Sequence, residues 1–161
     1  MPDYSAMILT ICGRLDPAVL PELSRLLSTA GLALEPDEDD ATQEEIVTAV
    51  RRAVAAPAAV NFYGAAAKDG RNDDLEAELR RLGVGYVRIG SPHVMYSASV
   101  ALWLPGFAEP RHWLADANGV PHLSADEIEI RVQQSTLEAE VLAMRLAQSP
   151  PRLRLTEVSN G

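Results

Sequence analysis

The order of apolar and amphipathic segments constrains the fold of this chain more than any other feature. Residues 7–13 form a β-branched, apolar run that ends at a glycine, which indicates a buried strand. Residues 16–31 and 42–56 then repeat apolar side chains at helical spacing, and Thr42 and Glu45 form a capping box before the second of them. Two helices in succession after one strand do not fit a doubly wound sheet, in which single helices alternate with strands.

The middle of the chain adds short strands and one more helix. These strands are predicted at residues 58–63, 86–89, 96–104, 112–114 and 120–123. The last two flank Asn118 and Gly119, a pair that is typical of hairpin turns. Residues 73–82 repeat leucine at helical spacing, and Gly83 stands where a helix C-cap glycine belongs. We therefore predict a single α+β domain, with a mixed, mostly antiparallel sheet and three to four helices packed on it.

Residues 124–148 allow two predictions. Ser124 and Glu127 form a capping box, and no proline or glycine follows before residue 149, so one long helix fits. The alternative breaks the segment near residues 135–136 and makes residues 127–132 a strand, because apolar residues also alternate there.

The long helix would have two apolar sides. One side comprises Ile128, Val132, Ala139, Leu142 and Leu146, and the other comprises Ile130, Leu137, Val141 and Met144. One side can pack on the sheet, and the second then needs its own cover. This favours a homodimer, or docking of a partner, through Ile130, Leu137, Val141 and Met144.

Acidic residues dominate the charge of the chain. Asp and Glu number 23 against 14 Lys and Arg, and the formal net charge is −9. Seven of the acids lie within residues 35–45, a segment that contains no base and begins with an acidic loop at residues 35–41. This charge argues against direct nucleic-acid binding and favours a partner with a basic surface. The predicted contact residues are Asp37, Glu38, Asp39, Asp40, Glu44 and Glu45.

Two aromatic residues are candidates for the same interface. Phe107 and Trp113 lie in the looped stretch of residues 105–118, and we predict them as exposed anchors for a partner. The alternative is that both rings cover the end of the sheet.

No pattern in the sequence identifies a reaction. Cys12 is the only cysteine and lies in the apolar first strand, where a cysteine usually behaves as an inert hydrophobic residue. Together with His93, His112 and His122 it matches no spacing of zinc ligands. Asp69, Asp73 and Asp74 can be read as ligands of a divalent ion, but equally as residues of a loop and a helix N-terminus. We expect no catalytic residue, no metal and no cofactor.

The composition is that of a soluble globular protein. Hydrophobic residues make up 47% of the 161 residues and charged residues 23%, and no apolar stretch approaches the roughly 20 residues of a transmembrane helix. The short apolar run near the start fits a strand better than a secretion signal. We therefore expect one domain over residues 1–161, located in the cytoplasm without membrane contact. Residues 150–161 form a tail that either adds an edge strand or stays loose.

Short motifs mark turns and strand ends over about residues 60–128. They are NFYG at residues 61–64, DLE at 74–76, YVR at 86–88, WLPG at 103–106 and DANGVP at 116–121. A chain with these motifs resembles small uncharacterised proteins that bacterial phages and plasmids encode. The resemblance implies a shared fold and supplies no catalytic residues. It also implies a mode of action, because small acidic proteins of mobile elements often occupy the surface of a host protein.

These observations favour a non-enzymatic acidic protein that binds another protein. Our hypothesis is a mobile-element inhibitor that occupies the basic surface of a host nucleic-acid-binding defence complex, as anti-CRISPR or anti-restriction proteins do. An immunity protein or a secretion chaperone is an alternative that would use similar acidity. The other alternative is a small hydrolase or metal-dependent enzyme, whose histidines and aspartates meet only in the fold.

Overall fold

A computed structural model describes residues 5–66, 71–92 and 97–157 and shows the predicted α+β domain. The strands are β1 (Ser5–Cys12), β2 (Arg14–Leu15), β3 (Val60–Ala66), β4 (Gly85–Gly90), β5 (Ala98–Trp103), β6 (Arg111–Ala115), β7 (Pro121–His122) and β8 (Arg154–Leu155). The helices are α1 (Leu20–Thr29), α2 (Gln43–Ala55), α3 (Asp73–Arg81), α4 (Ala125–Gln133) and α5 (Leu137–Gln148), and a 3-10 turn, Pro17–Val19, precedes α1. No helix in these ranges is long and apolar enough to cross a membrane.

Six strands form one antiparallel sheet. Their order is β3-β1-β4-β5-β6-β7, so β3 and β7 are the edge strands. The predicted Asn-Gly turn joins β6 to β7, and Gly119 has a φ of 76°, a value that glycine adopts without strain. In the tail, β8 pairs in parallel with β2, so this part of the chain adds a strand.

The sheet separates two hydrophobic cores. On β4, Tyr86 belongs to one core and the next residue, Val87, to the other, and on β5 Leu102 and Trp103 divide in the same way. Because neighbouring residues of a strand point to opposite faces, the two cores lie on opposite faces of the sheet. Helices α1, α2 and α3 cover the first core, and α5 covers the second.

The helix starts follow from local hydrogen bonds that the sequence predicts. The side chain of Asp16 accepts a hydrogen bond from the backbone N–H of Ala18 at the start of the 3-10 turn. Thr42 with Glu45 before α2, and Ser124 with Glu127 before α4, each form both hydrogen bonds of a capping box. Such caps satisfy backbone N–H groups that have no partner inside the helix.

The prediction of one long helix over residues 124–148 is wrong. The alternative is confirmed in its break near residues 135–136, but the strand that it places at residues 127–132 is wrong. The chain forms two helices, α4 and α5, with a break at Ser135, whose φ is 56°. A left-handed residue ends a helix, and the backbone N–H of Thr136 then bonds to the carbonyl of Arg131. The described part of the chain therefore has five α-helices, one more than the upper limit we predict from the sequence.

Candidate functional site

The acidic loop projects from an anchored base beside the edge strand β3. Ala33 and Tyr63 exchange two backbone hydrogen bonds, of 2.8 and 2.9 Å, and the N–H of Ala41 donates to the carbonyl of Leu32 at 2.8 Å. These bonds hold the two ends of the loop close together, as in a compact Ω-loop. The loop thus presents its side chains from a fixed position and also pairs the outer edge of β3 at Tyr63.

A close approach at Gly64 supports the same base. A Cβ atom on this glycine would lie 2.5 Å from Cδ2 of Leu32, a distance at which the neighbour has to move. Leu32 is fully buried, so it has little room to do so. The glycine of the NFYG motif is therefore explained by packing of the loop base against β3.

The six predicted acidic contact residues are all exposed, but they differ in what holds them. Asp37, Glu38, Asp39, Asp40 and Glu44 form no ion pair with any residue of the described ranges. The carboxylate of Glu45 accepts hydrogen bonds from the backbone N–H and the hydroxyl of Thr42, at 2.8 and 3.0 Å.

These two hydrogen bonds give Glu45 a structural role. The bond from the backbone N–H of Thr42 is the main cause that lowers the pKa of Glu45, and the bond from the Thr42 hydroxyl adds to it. Glu45 is therefore a capping residue first, and the other five acids are the ones available to a partner.

An open cavity of about 530 Å³ lies between the acidic loop and the strands β1 and β3. Its lining includes apolar groups of Ala33, Tyr63 and Ala65 together with four acids. The acids are Glu35, Asp37, Glu38 and Asp40. No basic residue of the described ranges lines this cavity. Such a surface suits an arginine or lysine side chain, because its aliphatic stem can pack on the apolar wall while its charged end meets the carboxylates.

Another cavity beside the loop has a mixed charge. It has a volume of about 520 Å³ and is lined by Glu35, Glu38 and Arg52, together with apolar residues of α2 and β3. Arg52 would oppose the entry of a basic side chain. Of these two cavities, the one between the loop and β1 is therefore the better site for a basic side chain.

Trp113 is not the exposed anchor that we predict from the sequence. It is only 5% exposed and belongs to the second core, and its indole Nε1 donates a hydrogen bond to Glu140 at 2.7 Å. Trp113 is on β6, and its side chain points to the face that α5 covers. The sequence contains one indirect signal of this burial, because the partner Glu140 lies among the apolar residues of α5.

Phe107 is half-buried rather than freely exposed. Its ring packs against both cores, and its backbone carbonyl accepts a hydrogen bond from Nε1 of Trp103 at 3.1 Å. The ring therefore covers the end of the sheet, as the alternative prediction has it, and it is a weak candidate for a partner contact.

A buried ion pair that we did not predict lies between α3 and β4. Nε of Arg88 donates to Glu76 at 3.0 Å, and both side chains are almost completely buried. The guanidinium also donates to the hydroxyl of Ser99 at 3.1 Å. The sequence signal is a single arginine inside the apolar strand β4, because a charge at such a position needs a buried counter-charge.

His112 lies beside this ion pair. His112 is exposed by its surface area, but partial desolvation of its imidazole on the sheet is the main cause that lowers its pKa, and the charges of Arg88 and Arg71 lower it further. The charges of Glu76 and Asp73 act in the opposite direction. Of the residues in the enzyme alternative, only the charge of Asp73 acts on the pKa of His112, and no hydrogen bond or ion pair joins the two side chains in the described ranges.

The other residues of the enzyme alternative do not add to this cluster. His122 is exposed on β7. His93 and Asp69 lie outside the described residues. Within the described ranges, no three His, Cys, Asp or Glu residues are grouped so that they could hold a metal ion.

The predicted dimer or partner residues on the last two helices differ in their exposure. Ile130 and Val141 are exposed, at 50% and 38%, whereas Leu137 is half-buried and Met144 packs against the second core. Neither predicted apolar side forms the buried face of α5, which consists of Glu140, Ala143 and Ala147. The α5 residues of the two predicted sides lie on opposite flanks of that buried face.

Comparison of the chain with models of protein families, with curated proteins and with solved structures finds no match.

Proposed function

We propose that this is a non-enzymatic binding protein whose acidic loop docks on the basic surface of a host protein. The observation that carries the proposal is the anchored loop, which presents unpaired carboxylates around an apolar-walled cavity. The partner class we propose is a nucleic-acid-binding defence complex in the cytoplasm, whose phosphate-binding arginines and lysines the loop would occupy. An immunity protein or secretion chaperone would use the same mode of binding on a different client.

The charge of the loop and the hydrogen bonds at its base together support this mode of binding. The formal net charge of −9 attracts a basic surface over a distance set by the ionic strength, which is about 8–10 Å under physiological conditions. A loop that is already held at its base loses less conformational entropy on binding than a free segment does. We therefore expect fast association that slows strongly as salt is added.

Affinity capture with a charge-matched control tests the proposal. The loop variant carries Asp37→Asn, Glu38→Gln and Asp39→Asn. Asn is suitable at position 37, where φ is 63°, because it tolerates this backbone conformation. The control variant carries Asp74→Asn, Glu109→Gln and Glu157→Gln, which are exposed acids outside the acidic loop. Both variants have the same net charge, so they separate a local contact from a general charge effect.

The expected result is a protein that the wild type and the control variant capture from host lysate, and that the loop variant does not. Its purified complex should weaken as salt increases. The proposal is wrong if the loop variant captures the same protein with the same affinity as the wild type.

A further inference from the structure

Two arginines lie side by side on the short parallel strands β2 and β8. Arg14 of β2 is in register with Arg154 of β8, and both residues are exposed. Aligned residues of adjacent strands point to the same face of a sheet, and the strands are only about 4.8 Å apart. The two side chains, which we call the arginine pair, therefore share one face, and their like charges repel each other at close range.

The strands that carry the arginine pair are anchored in the first core. Leu15 and Leu153, chain neighbours of the two arginines, are 1% and 0% exposed and belong to that core. The N–H of Arg154 donates to the carbonyl of Gly13 at 2.9 Å, and the N–H of Thr156 donates to the carbonyl of Leu15 at 2.8 Å. Buried leucines and backbone hydrogen bonds thus hold the pair on the outer side of the two strands.

Neither guanidinium of the arginine pair has a counter-charge in the described ranges. Both lack an ion pair and a hydrogen bond there, although the formal net charge of the chain is −9. Of the acids close in sequence, Asp16 accepts a hydrogen bond from the N–H of Ala18, and Glu157 is exposed without an ion pair. Like charges opposite each other on adjacent strands cost stability, and an anion bound between them would remove this cost.

The chemistry of two adjacent guanidinium groups favours a phosphate monoester as this anion. One guanidinium already satisfies the two oxygens of a carboxylate by a bidentate contact. A phosphate monoester has three acceptor oxygens and a charge of about −1.5 to −2 at pH 7, which two guanidinium groups match. Long polyanions, such as nucleic acids and anionic membranes, fit poorly because a net charge of −9 repels them.

We infer that the arginine pair binds a phosphate monoester group, with each guanidinium donating hydrogen bonds to its oxygens. Arg152 is exposed two residues before Arg154 and adds a positive charge to this part of the chain. The arginine pair contains no residue of the acidic loop, so the inference does not depend on the proposed function.

Thermal unfolding of the full chain tests the inference. The probes are inorganic phosphate and a short phosphoserine peptide that is otherwise uncharged, both at constant ionic strength. At least one of them should raise Tm by about 3–6 °C at ten times its Kd, because it binds only the folded chain. The same peptide with unmodified serine should not. A larger shift with the peptide than with equimolar inorganic phosphate assigns the group to a phosphorylated protein, and the reverse assigns it to a free phosphate compound.

Two double variants decide whether the arginine pair is responsible. Arg14→Gln with Arg154→Gln should lose the shift, and its Tm without phosphate should be no lower than that of the wild type, because two like charges are removed. The control is Arg51→Gln with Arg145→Gln, which has the same net charge and changes exposed arginines of α2 and α5. It should keep the shift.

Four outcomes overturn the inference. Neither probe raises Tm, the arginine-pair variant keeps the shift, or the control loses it to the same extent. The fourth is a lower Tm of the arginine-pair variant without phosphate, which would show that the two side chains serve to stabilise the fold.

Discussion

The indole Nε1 of Trp113 donates a hydrogen bond to Oε1 of Glu140 at 2.7 Å, and this contact joins β6 to α5 inside the second core. The other carboxylate oxygen of Glu140 accepts a hydrogen bond from Arg111 at 2.9 Å. Glu140 is 3% exposed, and these donors satisfy carboxylate oxygens that water does not reach. A residue that the sequence suggests as a surface anchor thus stabilises the position of α5.

Replacement of Trp113 by Phe should destabilise the protein more than the same replacement of Trp103. Both changes remove an indole N–H, but Trp113 donates to a buried carboxylate and Trp103 donates to the backbone carbonyl of Phe107. Hydrogen bonds to charged groups contribute about 1.5–3 kcal/mol, and those to neutral groups about 0.5–1.5 kcal/mol. The free energies of unfolding from urea titrations would show the difference. Equal losses for the two variants would contradict a special role of the Glu140 contact.

Replacement of Arg88 by Met should lower the free energy of unfolding by about 3–5 kcal/mol, because it leaves the carboxylate of Glu76 buried without its counter-charge. The double variant Arg88→Met with Glu76→Leu should recover much of this loss, since it removes both charges and keeps the volume apolar. Urea titration of the two variants measures the difference between them.

Arg81→Met provides the surface control for this experiment. Arg81 pairs with Glu22 and Glu78, and all three side chains are at least 42% exposed. Exposed ion pairs contribute only about 0–1 kcal/mol. A loss for Arg88→Met as small as that for Arg81→Met would show that the buried pair does not stabilise the fold.

The features that the sequence predicts well are those that depend on near neighbours. The capping boxes at Thr42 and Ser124 join residues three positions apart, so their chemistry is visible in the sequence itself. The partners of Arg88 and Trp113 are 12 and 27 residues away, and only the folded sheet brings them together. The break at Ser135 appears in only one of the two predictions for residues 124–148, because neither proline nor glycine marks it.

The acidic loop shows a similar division. Its composition and its exposure follow from the sequence, because a run of acids cannot be buried without counter-charges. Its anchoring depends on the pairing of Ala33 with Tyr63 and on the packing of Leu32 against Gly64, which are contacts between distant parts of the chain. Sequence reasoning therefore finds the charge of the candidate site but not the structure that holds it.

Cys12 should not react with thiol reagents in the native protein at pH 8. It is 1% exposed, and burial raises the pKa of its thiol to about 12, so the reactive thiolate is scarce and inaccessible. Labelling with an alkylating reagent, read by mass spectrometry, checks this. The same protein in concentrated urea should be labelled completely. Equal labelling rates in the two conditions would mean that the first strand opens readily in the native state.

The pKa of His112 should lie below its ordinary value of 6.5, because partial desolvation disfavours the charged imidazolium and Arg88 and Arg71 add to the effect. The unfolded chain then takes up this proton at a higher pH than the folded one. The contribution of His112 to stability is therefore complete above pH 6.5 and is lost as the pH falls below it. An NMR titration of the imidazole protons measures this pKa directly.

Neutralising Asp73 tests whether the charges near His112 act as the structure indicates. Asp73→Asn should lower the pKa of His112 further, since the carboxylate of Asp73 favours the protonated imidazole. Asp74→Asn is the matched control, because Asp74 is the next residue of α3 and is not among the charges that shift this pKa. A pKa of His112 at or above 6.5 in the wild type, or a larger change for Asp74→Asn than for Asp73→Asn, would show that His112 does not lie in this environment.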